Sequence, residues 1–390
     1  MSSQNIDEMN KSELILKCKE LKLKNYSNKT KIELVNLIKN SNKSTLGQFY
    51  TTNYEYILKN MNIPNDVKHI IEPFAGNGDL LNFLNKEDKD KYKLECYDID
   101  PKQTFIIKRD TLLDPPDYDG KFILTNPPYF ARNKSKIKTI YDKYDCNDLY
   151  KCFLKQLLES DCYGGIIIIP LNFISSIRKN DIELRRNFFN KFHIEIINIF
   201  EEQVFEDTSY SICSIQFKKN NILSTCQYVK CYIYPSNKII EFSFNSVNNY
   251  TIGGEIYNLQ QNNTYKIERA TRNTTNKDCI TNILLKCIDD NINNKIQLKI
   301  VNDDEIYIDD TPNLSARSYA SLVITPKINI ETQKKLIENF NEFLNSQREK
   351  FNSLFLTNYR ESNNIARKRI SFELAFHICN YLLTQFIIKQ

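Results

Sequence analysis

Between residues 69 and 217 the chain alternates short apolar runs with amphipathic stretches, and few folds accommodate that order. HIIEPFA, KLECYDI, TFIIKRD, KFILTNPP and GGIIIIP follow one another as five strands, and HIEIINI and SICSIQF add two more. Strands that alternate with helices build βαβ units around a parallel sheet, so an α/β fold of seven strands is expected from about residue 46 to 220. The last of them mixes polar with apolar residues, as a strand of an edge hairpin would.

The flanks read differently. Residues 12–40 carry two helical patterns, with Leu14, Cys18 and Leu21 on the first and Ile32, Leu34, Val35 and Ile38 on the second. Tyr26-Ser27-Asn28 supplies the turn between them, with Ser27 placed to cap the second helix. From Lys11 to Lys43 nine lysines face three glutamates, a local +6 against +5 for the whole chain. This pair resembles a SAP module, a small helix-extension-helix domain that binds DNA, with Asn28 where that family has glycine. The resemblance implies that Lys22, Lys24, Lys29 and Lys31 face phosphates. An ordinary charged hairpin used for packing is the alternative. Beyond 221, CQYVKCYIYP and KIIEFSF look like strands, an Asn-rich mixed region follows to about 325, and helical patterns run from Glu331 to the end. Arg360, Arg367, Lys368 and Arg369 form a second basic cluster.

Composition removes several chemistries. The 390 residues and 41% hydrophobic content suffice for a large core, and no stretch approaches the roughly 18 apolar residues of a membrane span. No secretory or transit signal is readable, so an intracellular, soluble protein is expected. Eleven scattered cysteines without C-x-x-C read as reduced thiols. His69, His193 and His377 lie far apart, which leaves little for a zinc site or a histidine-based hydrolase, and no metal is expected.

Only eight glycines occur, and two fall in Glu72-Pro73-Phe74-Ala75-Gly76-Asn77-Gly78-Asp79, directly after the first strand. Glycine at a strand end lets backbone approach a ligand closely, in the crevice where open α/β sheets bind cofactors. Neither G-x-G-x-x-G nor a phosphate loop is present. The second strand ends at Asp98, 26 residues after Glu72, placed to accept hydrogen bonds from ribose hydroxyls. The third ends at Asp110, placed for an adenine amino group. These three strand ends describe a nucleoside-shaped pocket without a phosphate clamp, which favours S-adenosylmethionine.

The fourth strand runs into Asn126-Pro127-Pro128-Tyr129. Two prolines stiffen the turn and remove two donors. The Asn126 amide oxygen and the Pro127 carbonyl can then accept both hydrogens of a planar amino group, with the Tyr129 ring available for stacking.

With these residues the chain resembles the N6-adenine DNA methyltransferases of the gamma arrangement, over about residues 46–217. The resemblance implies a Rossmann-like class I methyltransferase fold and transfer of a methyl group from S-adenosylmethionine to a flipped adenine in double-stranded DNA. It places Phe49 and Thr51 of Leu46-Gly47-Gln48-Phe49-Tyr50-Thr51 at the cofactor and base pockets. It further implies cofactor contacts from Glu72, Pro73, Phe74, Ala75, Gly76, Gly78, Asp98, Ile99, Asp110, Thr111, Asn126 and Phe153. Catalysis falls to Asn126, Pro127, Pro128 and Tyr129, and the flipped base stacks on Tyr129 and Phe205, with Tyr210 as the other candidate. Domains are expected at 1–43, 44–220 and 221–390, the last a target-recognition region where Arg360, Arg367 and Arg369 reach DNA. A monomer is the simpler expectation, and a cognate restriction endonuclease is the implied partner. Enzymes that methylate release-factor glutamine or ribosomal RNA adenine share the Asn-Pro-Pro-Tyr turn and stay open as alternatives. So does an inactive DNA-binding relative.

Overall fold

The computed structural model describes residues 6, 9–21, 23, 26–35, 37–38, 51–84, 91–205, 211–220, 226–289, 295–309, 318–362 and 365–388. The chain divides into two compact units, 1–170 with 191–198 and 204–221, and 171–190 with 199–203 and 222–390. Each is described by itself.

The first unit opens on the helix Lys11–Glu20, started by a capping box in which Asn10 Oδ1 accepts from Glu13 N at 3.0 Å and the Glu13 carboxylate accepts from Asn10 N at 2.7 Å. A second helical stretch covers 31–35 and 37–38. Leu14, Cys18, Leu34, Val35 and Ile38 make a small core of their own. Two expectations change here. Ile32 is 74% exposed and Leu21 is exposed too, so neither belongs to the buried stripe. The cap of the second helix is Thr30, whose Oγ1 accepts from Glu33 N at 3.3 Å while Glu33 Oε2 accepts from Thr30 N at 2.6 Å. A capping box needs its acid three residues on, and Glu33 stands three after Thr30.

Seven strands follow: β1 (His69–Glu72), β2 (Lys93–Asp98), β3 (Ile107–Lys108), β4 (Phe122–Thr125), β5 (Gly164–Pro170), β6 (Phe192–Phe200) and β7 (Ile212–Lys219). They lie in the order β3-β2-β1-β4-β5-β7-β6. The pairs β2/β3, β1/β2, β1/β4 and β4/β5 are parallel, and β5/β7 is antiparallel. These are the seven strands that the alternation predicts, in a parallel-rich α/β arrangement. Every residue of β4 and β5 is buried, as strands covered on both faces require. β7 is an interior strand, not the edge that its polar residues suggested. Those residues have partners: Ser214 Oγ donates to Ile57 O at 2.6 Å, and Gln216 donates to Glu195 at 2.8 Å and accepts from Asn62 N at 3.0 Å.

The second unit contains the antiparallel hairpin β8 (Cys226–Tyr234) and β9 (Lys238–Asn245). The Asn-rich region resolves into an antiparallel sheet ordered β10-β13-β11-β12, from β10 (Lys266–Arg269), β11 (Ile280–Lys286), β12 (Gln297–Ile300) and β13 (Tyr319–Thr325). The carboxyl-terminal part is helical only in its outer pieces, Ile330–Phe351 and Phe372–Ile388. Between them β14 (Thr357–Ser362) pairs with β15 (Ile365–Arg369), so the second basic cluster lies on a hairpin. Among the described residues no helix is long and apolar enough to cross a membrane.

Candidate active site

The turn after β1 is held by the strand ends beside it. Asp98, at the end of β2, accepts from Gly76 N through Oδ2 and from Asp100 N through Oδ1, both at 2.8 Å. Ala75 N donates to Tyr97 O at 2.8 Å, and Thr111 Oγ1, just beyond β3, donates to Pro73 O at 2.9 Å. Three parallel strands thus deliver their carboxyl ends to one hydrogen-bonded floor. Gly78 adopts φ +82°, and a Cβ there would stand 3.1 Å from the Phe105 ring. Only glycine makes that turn without strain.

Glu72 is fully enclosed at the end of β1. Its Oε1 accepts from Thr125 Oγ1, the last residue of β4, and from Phe74 N at 3.2 Å. Its Oε2 is buried without a partner. Burial pushes this carboxyl up to about 8, the bonds from Thr125 and Phe74 pull it down, and the Asp98 charge adds a smaller upward push. A buried carboxyl oxygen without a partner invites one from a ligand, an acceptor while the acid keeps its proton and a donor or cation once it ionises.

Asn126 follows Thr125 and is half-buried between two hydroxyl side chains. Its Nδ2 donates to Thr51 Oγ1 at 3.0 Å, while the Tyr129 hydroxyl approaches its Oδ1 and also donates to Ile168 O at 2.7 Å. Pro127 and Pro128 are buried, and Tyr129 is only 2% exposed, its ring edge-on to Tyr150 at 6.2 Å. The Tyr129 ring is expected to be available for stacking; here the phenol is enclosed and its hydroxyl braces the turn. An enclosed phenol has to find an acceptor, and β5 supplies one in Ile168. Burial pushes its pKa well above the ordinary 10, so it stays a donor.

The other expected residues are placed as follows. Asp110 is half-buried and its Oδ1 accepts from Leu112 N and Leu113 N, both at 3.2 Å, which makes it a turn cap as well as a pocket candidate. Ile99 is 41% exposed. Phe153 is wholly buried, edge-on to Phe74 at 5.1 Å and to Tyr118 at 6.1 Å, and Phe74 is the more open of the pair. Phe205 is buried. Phe49, Lys22, Lys24 and Tyr210 lie outside the described residues, as do the side chains of Arg360 and Arg367. Lys31 is exposed, Lys29 and Arg369 half-buried.

One contributor escaped the sequence. Asp148 Oδ1 accepts from Phe130 N at 3.0 Å, immediately after the Asn-Pro-Pro-Tyr turn, and Phe130 O accepts from Leu149 N at 3.3 Å and from Tyr141 at 2.9 Å. Asp148 therefore pins the exit of the turn. Burial pushes it up to about 6, opposed by Lys151 and by the Phe130 bond.

No family model matches the chain, and no curated protein does. Solved structures do. A modification subunit from Vibrio vulnificus YJ016 is similar with a TM-score of 0.38 at 13% identity over 53% of each chain. A type I restriction-modification methyltransferase subunit from Streptococcus thermophilus gives 0.34 at 13% over 51% of each. The M protein of the type I restriction enzyme EcoKI gives 0.33 at 12%, over 90% of this chain and 85% of that one. The chain spans about half the length of the first two.

Proposed function

We propose that the chain is an S-adenosylmethionine-dependent methyltransferase that modifies the N6 amino group of adenine in double-stranded DNA, within a restriction-modification system. The observation that carries this reading is Asn126: a half-exposed amide at the end of β4, held between Thr51 and Tyr129, one residue from the Thr125 that bonds Glu72. Glu72 offers a vacant buried oxygen, the Gly76 to Gly78 turn offers close backbone, and Asp98 and Ile99 stand at the neighbouring strand end, a set that fits a nucleoside carrying an amino acid. The cofactor, when bound, supplies an electrophilic methyl group.

The residues of the chain do the rest. The target base turns out of the duplex at a cost of a few kcal/mol in stacking and pairing. The Asn126 oxygen keeps a lone pair beyond the one facing Tyr129, and with the Pro127 carbonyl it accepts both amino hydrogens. Two fixed acceptors aim the nitrogen lone pair and stabilise the positive charge that grows on it. Tyr129, braced on Ile168, and Asp148, gripping Phe130, keep those acceptors from relaxing.

The test offers labelled cofactor with duplex DNA, RNA and a release factor in parallel. Transfer to adenine N6 of DNA is expected. Asn126→Ala should bind cofactor within about twofold of wild type by calorimetry and lose at least 100-fold in transfer, the scale of one lost charge-stabilising group. Undiminished turnover in that variant sinks the assignment, and transfer to RNA or to glutamine instead redirects the substrate.

A further inference from the structure

The segment that leaves the Asn-Pro-Pro-Tyr turn is strongly basic. Residues 131–144 carry Arg132, Lys134, Lys136, Lys138 and Lys143 against Asp142 alone. Its first part is cross-braced rather than loose. Lys134 N donates to Ala131 O at 2.9 Å, Ser135 N to Arg132 O at 3.3 Å, and Ser135 Oγ to Ile137 O at 2.7 Å. It is also tied to the clamp behind the turn, through an antiparallel bridge of Ala131 with Asp148 and a bond from Arg132 N to Asn147 O at 2.9 Å.

Three of the five cations are occupied inside the segment or beside it. Arg132 pairs with Asp142 at 2.6 Å, Lys138 donates to Ser135 O at 2.5 Å, and Lys143 donates to Leu113 O at 3.2 Å. Lys134 and Lys136 are exposed, and among the described residues neither side chain makes a hydrogen bond or ion pair. Next to Lys136 stands Ile137, 72% exposed in this hydrogen-bonded loop. A large aliphatic side chain held out in water between lysines suits a partner with a charged exterior and an apolar, stacked interior. Nucleic acid has that structure: phosphates outside, base faces inside.

We propose that loop 131–138 grips duplex DNA beside the modified base, Lys134 and Lys136 neutralising phosphates and Ile137 entering the stack that the rotated base leaves. Apolar wedges flanked by cations serve this purpose in proteins that unstack DNA. The proposal rests on the function assigned above to the Asn126 turn.

Full-length protein, with S-adenosylmethionine present, would be titrated against a fluorescent mixed-sequence DNA duplex at several salt concentrations. Each phosphate contact contributes about 0.9 to the slope of log K against log salt. The double variant Lys134→Ala/Lys136→Ala is expected to flatten that slope by about 1.8 and to bind cofactor like wild type. Ile137→Ser should keep the wild-type slope, lose tenfold or more in transfer to duplex DNA, and lose much less on single-stranded DNA, where there is no stack to fill. An unchanged slope in the double variant, or equal loss on both substrates in Ile137→Ser, overturns the proposal. So does a slope change seen on duplex RNA and absent on DNA. Wild-type transfer is measured alongside: a loop-dependent slope without any methyl transfer supports the loop and sinks the adenine assignment, so the two failures are distinguishable.

Discussion

Glu72 holds the least ordinary acid of the described site, and its protonation makes the fold sensitive to pH. Its folded value of about 8 lies above the ordinary 4.5, so between those limits the folded chain keeps a proton that the unfolded chain has lost. Its contribution to stability is complete below about 4.5 and declines as pH rises through 8. Glu72→Gln keeps the shape without the titration. Thermal melts of the wild type should fall between pH 5 and 8 by more than those of Glu72→Gln, and parallel curves would show that Glu72 does not titrate there. At this scale the sequence was informative where turn chemistry forces a residue's hand. Glycine after a strand and a diproline each have few uses, so the strand-end turns at Gly78 and at Asn126 were legible as turns. The hydroxyl role of Tyr129 was not, because its acceptor is a carbonyl 39 residues later, and Asp148 was not, because it grips the turn across 18 residues.

Among the elements, β4 and β5 set where Asn126 stands. Gly165 on β5 has no room for a side chain: a Cβ would lie 2.4 Å from Ile123 O and 2.6 Å from Ile123 Cβ on β4. Gly165→Ala must push the two strands apart, and overpacking of a close core contact costs about 1–3 kcal/mol. Denaturant melts should show that loss together with weaker transfer, since the displaced strand carries Asn126; a neutral substitution would mean that the strands already have slack. Strand existence was readable from apolar runs, whereas strand order was not. β7 looked peripheral because Ser214 and Gln216 are polar, and only their distant partners at Ile57, Asn62 and Glu195 explain how such residues stand inside a sheet. The hairpin of β14 and β15 was hidden for a related reason, since charged residues on short paired strands carry no apolar period.

For the molecule as a whole, Arg185 shows how the second unit is built. It is fully buried on the helix Lys179–Lys191 and donates to Phe173 O at 2.7 Å, Ser176 O at 3.0 Å and Asn249 O at 3.1 Å. A guanidinium serving several carbonyls joins segments far apart in sequence. Arg185→Met strands those carbonyls, and with about 1–3 kcal/mol for each buried group left unsatisfied, the loss should exceed about 3 kcal/mol. A melting temperature within a degree of wild type would show the site to be hydrated. The sequence placed a boundary near 220, where the alternation of strands and helices stops. Packing assigns 171–190 and 199–203 to the later unit, a division no local pattern announces, because those residues obey the same periodicities as their neighbours.

That interleaving bears on how such a protein could acquire a new specificity. The backbone passes between the two units five times, so a recombination event at a single point cannot exchange one unit for another. A chimera joined at residue 221 would receive a foreign β8 and β9 but retain the original Arg185, facing a stranger's Asn249. Diversification by point change in surface loops keeps every such pairing intact, whereas shuffling whole modules would need five coordinated junctions.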